Sequence, residues 1–325
     1  MRILLTTTSF QDTPGRHHDL LKNSGFEVVT ARGPLHETQM LELIRKDGDA
    51  GGFDGLLNGD DAITAKVIDV ALPRLKVIAK YGIGLDSIDV KYATSRKLPV
   101  LFTPGVNHTT VAEHTFGLMI AAAKHFWPHL RSVKGGGWKR ITGSELAGKT
   151  IAVLGVGRIG KEVVKRAIAF DMTPIGYDCH WDAAFAAQQH GLKHAATIDD
   201  AIENADFVSL HMSLADDDRG MVNKAFIDKL KKGAVIINTA RGGLVNEADV
   251  AEACRSGRLG GYAADVLDVE PQKVPHVFQD IDNIIVTPHV GSRTFESVER
   301  QALRAVTNIV EFLKGGKDFI QANPF

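Results

Sequence analysis

Cysteine is nearly absent from this chain, with only Cys179 and Cys254 among 325 residues. The two are far apart and neither sits in a Cys-x-x-Cys spacing, which excludes a disulfide framework and makes a reducing, cytoplasmic setting the expectation. Long apolar runs are lacking too. No stretch approaches the ~18 residues of a membrane span, and the opening MRILLTTTSF has only a short apolar run that reads as a first strand. Nor does one sign of charge dominate, since 38 Lys and Arg stand against 39 Asp and Glu. Without a basic footprint, neither nucleic acid nor an anionic membrane is an expected partner.

What the chain does have is rhythm. Short apolar runs (RILLTT, FEVVT, DGLLN, LKVIAK, PVLF) alternate with helical patterns such as ETQMLELIRK, which is the signature of a parallel α/β sheet. A second series follows at TIAVLG, TPIGYD, DFVSLH, AVIINT, GGYAADV and NIIVTPH. Two series in a chain of this length predict two doubly wound parallel-sheet α/β domains. Residues 108 to 126, apolar nearly all round, predict one long buried helix ending near Pro128. The glycine-rich 134 to 140 segment reads as an extended arm, and FESVERQALRAVTNIVEFLKGG reads as a final helix. If that helix packs on the first sheet, the second domain is an insertion.

The inserted region carries a dinucleotide fingerprint. A strand runs into Gly155-x-Gly157-x-x-Gly160, then a helix, then a second strand that ends at Asp178, 21 residues past Gly157. The glycines allow a tight turn, close approach to a pyrophosphate and helix–strand packing, while the helix N-terminus supplies amides and a positive dipole. An acid at that strand end bonds ribose hydroxyls and repels a 2′-phosphate. With no arginine in the following Cys179-His180-Trp181, NAD is favoured over NADP.

Three polar residues lie just beyond later strands: Arg241 in INTARGGLV, Glu270 in ADVLDVEP and His289 in IVTPHVGS. That edge of an open α/β sheet is where ligands bind. Arginine can fork onto a carboxylate and its neighbouring carbonyl, histidine can move a proton near neutral pH, and a carboxylate can orient that histidine and stabilise its charged form. These are the functions that hydride transfer to a 2-keto acid requires. Singly, each has a bland reading as a turn cap, a loop acid or an ordinary histidine; their joint placement favours the catalytic one.

KYGIGLDSID, TPGVNHTTVAEHT, GVGRIG, NTARGGLV, DVLDVEP and TPHVGS, in this order, resemble the D-isomer specific 2-hydroxyacid dehydrogenase family along essentially the whole chain. The resemblance implies a Rossmann NAD-binding domain, residues 104–292, inserted into a flavodoxin-like substrate domain, residues 1–103 and 293–325. It implies Arg241, Glu270 and His289 as the catalytic set. It implies Ile83, Val111, Arg158, Ile159, Asp178, Met212, Thr239, Ala240, Asp265 and the turn from His289 through Gly291 to Ser292 near NAD, with Asp265 facing the nicotinamide carboxamide. The backbone of Tyr81, Gly82, Ile83 and Gly84 would receive the substrate carboxylate, with Asn107 nearby. It further implies a homodimer through the long helix and the arm near Trp138.

Glu270 stands where formate dehydrogenases carry glutamine, which argues against formate. The family's substrate-phosphate arginine falls at Asn58, beside Asp60 and Asp61, so a small unphosphorylated 2-hydroxy or 2-keto acid is expected, with Lys80 and Arg140 keeping 3-phosphoglycerate open. No regulatory domain is expected after residue 325. An NAD-sensing binding protein is the alternative from another class. A metal is not expected, because Pro128 interrupts the helix that would align His125 with His129.

Overall fold

The computed structural model describes residues 1–48 and 51–325. The chain forms two compact units, one of Met1–Asn107 with Arg293–Phe325 and one of His108–Ser292. No helix among the described residues is long and apolar enough to cross a membrane.

The first unit holds five parallel strands: β1 (Arg2–Leu5), β2 (Glu27–Thr30), β3 (Gly55–Asn58), β4 (Val77–Lys80) and β5 (Val100–Leu101). Their order β2-β1-β3-β4-β5 is the flavodoxin-like one. Side chains alternate across a strand, so each strand feeds two cores. Leu4, Leu56 and Ile78 pack with Met40, Ile44, Val67 and Ile68 on one face. Ile3, Leu5, Leu57, Val77 and Ala79 pack on the other, against Ala302, Ala305, Val306 and Ile309. Those last four belong to the helix Phe295–Lys314, so the C-terminal segment completes the sheet with which the chain began. Thr294 caps that helix by accepting from the Ser297 amide, and Gly315, in the left-handed region at φ 78°, ends it.

The second unit holds seven parallel strands: β6 (Thr150–Leu154), β7 (Thr173–Tyr177), β8 (Lys193–His194), β9 (Phe207–Leu210), β10 (Val235–Asn238), β11 (Gly261–Ala264) and β12 (Ile284–Val286). The order β12-β11-β10-β9-β6-β7-β8 reverses direction beside β6, which is the Rossmann arrangement with its switch point at the strand that precedes the glycine turn. The two-residue β8, KH, is too short and too polar to register as a strand in the sequence.

The helix expected over 108 to 126 is there, but it ends at Ala123, and a second helix follows it. His108–Ala123 is one and Phe126–Lys134 is the next, with His125 between them in the left-handed region at φ 52°. Pro128 stands in the first turn of the second helix, where a missing N–H costs nothing, instead of ending the first. The helix His108–Ala123 is covered by its own unit, packing on the helix Arg158–Ala169 and on β10 and β11. Apolar surface is left instead on the second helix and the arm, at Phe126, Trp127, Leu130, Val133 and Trp138.

Candidate active site

β6 delivers its chain directly into the glycine turn, and each glycine there has its own reason. Gly155 sits at φ 93°, and a Cβ on it would lie 2.7 Å from the carbonyl of His211. Gly160 meets the strand end so closely that a Cβ would fall 2.0 Å from the carbonyl oxygen of Gly155. Gly157 is different, because a Cβ there would meet nothing within 4 Å. The protein itself does not need a glycine at that position, whereas a pyrophosphate resting on the turn would. Arg158 and Ile159 then open the helix Arg158–Ala169, whose first amides and dipole face the same turn.

Asp178, just past β7, is aimed at the turn by two backbone donors. The Val156 amide donates to Oδ2 and the His180 amide to Oδ1, each at 2.7 Å. A carboxylate oxygen accepts more than one hydrogen bond, so capacity remains for ribose hydroxyls. Open space over Gly157 and an oriented acid beside it are what NAD requires of this chain. Met212 follows β9, next to His211, whose backbone borders Gly155.

Arg241, Glu270 and His289 follow β10, β11 and β12, three adjacent strands, at their C-terminal ends. Buried Asn238, the last residue of β10, shapes the first turn: its Nδ2 donates to the Arg241 carbonyl at 2.9 Å and its Oδ1 accepts from the Ala240 amide at 3.0 Å. Thr239, between them, shares a 2.9 Å hydroxyl contact with Thr115. Gly242 then abuts the next loop; a Cβ on it would lie 1.9 Å from the Leu267 carbonyl carbon. That loop holds Glu270, whose Oε1 accepts from the Leu267 amide at 2.9 Å while Oε2 meets His289 Nδ1 at 2.7 Å.

His289 occupies the left-handed region at φ 53°, a conformation a histidine holds only when its surroundings impose it. Asp265 imposes it. This carboxylate, 3% exposed, accepts from Thr287 Oγ1 at 2.5 Å, from the Val290 amide at 2.9 Å and from the Gly291 amide at 2.7 Å, and His114 Nε2 lies 3.3 Å away. Burial makes this carboxyl harder to ionise, but His114, Thr287 and the two amides outweigh that and hold its pKa below the ordinary carboxylate range. A carboxamide contact at Asp265 would have to share an oxygen already used by this turn, which continues through Gly291 to Ser292.

A carboxylate-oriented histidine and an arginine on neighbouring strand ends, beside a glycine turn, match one known family. The profile described as D-isomer specific 2-hydroxyacid dehydrogenase, NAD binding domain, covers residues 116–291. The chain belongs to the D-isomer specific 2-hydroxyacid dehydrogenase family. A hydroxypyruvate reductase of Thermotoga maritima is 38% identical over 255 residues, 77% of this chain and 81% of that protein. A D-3-phosphoglycerate dehydrogenase of Methanocaldococcus jannaschii is also 38% identical, over 92% of this chain, which spans about half (56%) of that relative's length. A solved structure from Thermus thermophilus matches at TM-score 0.87 and 33% identity, over 99% of this chain and 100% of that one.

Within this family the first unit is expected to hold the substrate, and its loop after β4 is partly committed. The Tyr81 amide donates to the Asn58 carbonyl at 2.8 Å and the Gly82 amide to Thr103 Oγ1 at 3.0 Å. The anion-binding expectation for the loop therefore narrows to the amides of Ile83 and Gly84. Asn107 ends this unit, and Val111, buried, lies in the first helix of the other.

The acids around Asn58 do not act as the sequence suggests. Asp61 is fully buried and points inward, accepting from Thr6 Oγ1, the Leu35 amide and the Gly59 amide. Asp60 is exposed but not a bare charge: its Oδ1 is 2.6 Å from Nζ of Lys80, and that buried ammonium also donates to the Gly59 carbonyl at 2.6 Å. Asp60 thus neutralises the cation that a phosphate would seek, which is a different obstacle from repulsion.

Asn238, Thr287 and His114 had no role in the sequence reading, yet they fix the turns that carry Arg241 and His289. The only signal for them is their place inside INTAR, TPH and VAEHT.

Proposed function

We propose that this protein transfers a hydride between NAD(H) and a small unphosphorylated D-2-hydroxy or 2-keto acid, such as glyoxylate, hydroxypyruvate or a sugar-derived acid. The 2.7 Å pair of Glu270 and His289, set one strand beyond Arg241, carries this reading. Bound nicotinamide supplies or accepts the hydride. Arg241 forks onto the substrate carboxylate and carbonyl oxygen, fixing the carbonyl carbon and polarising its bond. With Nδ1 on Glu270, His289 exchanges its proton with the substrate oxygen through Nε2. Glu270 holds the ring in the required tautomer and stabilises its charged form. The unit His108–Ser292 then serves as the NAD-binding domain, and the unit completed by the C-terminal helix as the substrate domain.

The similarity to a D-3-phosphoglycerate dehydrogenase favours a second reading, with a phosphorylated substrate. The Lys80–Asp60 pair weighs against it, since a phosphate would have to displace a carboxylate already 2.6 Å from the ammonium. We further infer a homodimer, because exposed Phe126, Trp127, Leu130, Val133 and Trp138 make an apolar surface that a second copy would cover. Both cysteines are free, which supports a reducing, cytoplasmic compartment.

The test is NADH oxidation with glyoxylate, hydroxypyruvate, pyruvate and 3-phosphohydroxypyruvate. Turnover of an unphosphorylated acid is expected, with kcat falling about 10²- to 10⁴-fold in His289→Ala. Preference for the phosphorylated acid would select the second reading, and silence across the panel with NADH still bound would reject glyoxylate and hydroxypyruvate and leave a sugar-derived acid as the substrate to assay next.

A further inference from the structure

The bend after β7 gathers reactive side chains that the proposed chemistry does not use. Asp178, Cys179 and His180 bring a carboxylate oxygen, Sγ and a ring nitrogen within 4.8 Å of one another, and among the described residues no other set of three such groups converges. Sγ of Cys179 is 3.1 Å from Nδ1 of His180. The carboxylate is already oriented by the amides of Val156 and His180, with further lone pairs on both oxygens. Cys179 and His180 are exposed, so an ion reaches them without disturbing a core. Cys254 is not comparable: it is buried, and burial pushes its thiol up to about 12.

Thiolate, imidazole and carboxylate are a ligand set for zinc or cobalt; magnesium and calcium prefer oxygen alone. Tetrahedral zinc with Zn–S of about 2.3 Å and Zn–N of about 2.0–2.1 Å separates sulfur from nitrogen by about 3.5 Å. The present 3.1 Å therefore has to open by less than half an ångström, a small rotation for two exposed side chains. Water would complete the shell. This site lies outside what the sequence suggests, where only the His125 and His129 pair comes up as a metal candidate.

We propose that Asp178, Cys179 and His180 bind a thiophilic divalent cation in competition with NAD. The competition rests on the reading of Asp178 as the ribose ligand: a carboxylate bound to a cation is withdrawn from the ribose hydroxyls. The coupling is negative and, by linkage, reciprocal, so NAD also expels the metal.

Cobalt is the probe, because a thiolate bound to it produces a near-ultraviolet charge-transfer band. Titration of the reduced full-length protein with Co²⁺ should raise that band to one equivalent; Cys179→Ser should abolish it and His180→Ala should weaken binding. NADH binding, followed by its fluorescence, should then weaken about tenfold with Co²⁺ at about ten times its own dissociation constant. In Cys179→Ser, NADH affinity should be unchanged without metal and insensitive to it. No band, or a band that survives in Cys179→Ser, overturns the site. A Cys179-dependent band with NADH affinity unmoved overturns the competition and leaves the metal site standing. Asp178→Asn, assayed without metal, tests the ribose reading separately: unweakened NADH binding would refute that reading whatever cobalt does.

Discussion

Gly157 is the residue whose substitution best separates binding from folding. A Cβ there enters open space, while one on Gly160 falls 2.0 Å from a backbone oxygen. Gly157→Ala should therefore melt near the wild-type temperature and bind NADH about tenfold more weakly, about 1.4 kcal/mol. Gly160→Ala should lose stability as well, because helix and strand must separate. Calorimetry beside NADH titration distinguishes the two; equal melting losses would remove the argument that Gly157 is kept for a ligand. His289 teaches a related lesson. Its residue type is legible in TPHVGS, but its left-handed backbone and its hold by Asp265 arise from β11 and β12 lying side by side.

At the scale of elements, the C-terminal helix Phe295–Lys314 packs on β3 through one tight meeting. A Cβ on Gly55 would lie 2.9 Å from Cδ1 of Ile309 and 3.3 Å from Cγ1 of Val77. Gly55→Ala should destabilise the first unit by about 1–3 kcal/mol through overpacking. Ile309→Val alone removes a buried methyl and should cost about 0.5–1.5 kcal/mol. If the contact is the cause, the double variant should be more stable than the sum of the two losses predicts, as urea melts would show; strict additivity would contradict it. The apolar period of this helix and its glycine stop are written in the sequence. The glycine it leans on gives no signal, because Gly55 and Ile309 are 254 positions apart.

Over the whole molecule, each unit encloses a histidine that burial keeps neutral. His17 is fully buried, and burial holds it below its ordinary range despite its bond to the Phe10 carbonyl. His211 is half-buried as a residue, yet its Nδ1 is enclosed without a partner and Nε2 sits on Ser209 Oγ at 2.7 Å; burial pushes it down to about 3. Both folded values lie below the unfolded one near 6.5, so below that pH the unfolded chain binds more protons. The stability these histidines contribute is complete above about pH 6.5 and is lost as pH falls toward 3. Urea melts between pH 7.5 and 4 should show that decline, and His211→Asn should make it shallower by up to about 1.4 kcal/mol per pH unit; an unchanged slope would rule His211 out. Assembly belongs to this scale too. Leu130→Glu should convert the proposed dimer to a monomer in sedimentation without loss of secondary structure, since Leu130 is 55% exposed; a dimer that persists would exclude this surface.

Sequence by itself determined the two α/β series, the glycine turn with its acid and the three polar residues past β10, β11 and β12, because those features are periodic or local and need no distant partner. It also determined the family, since six motifs in a fixed order are read directly. Tertiary structure alone decided the rest. It ended the helix expected over 108 to 126 at Ala123 and put Pro128 inside the next one, because a left-handed His125 and a proline in a first turn look like an uninterrupted apolar run when only composition is seen. It turned Asp61 inward and joined Lys80 to Asp60, because which way a side chain faces depends on the strand laid beside it. It made Asp265 the keystone of the His289 turn and aimed the side chains of the consecutive Asp178, Cys179 and His180 toward one another, because the direction of a side chain is a property of the folded backbone and not of spacing along it.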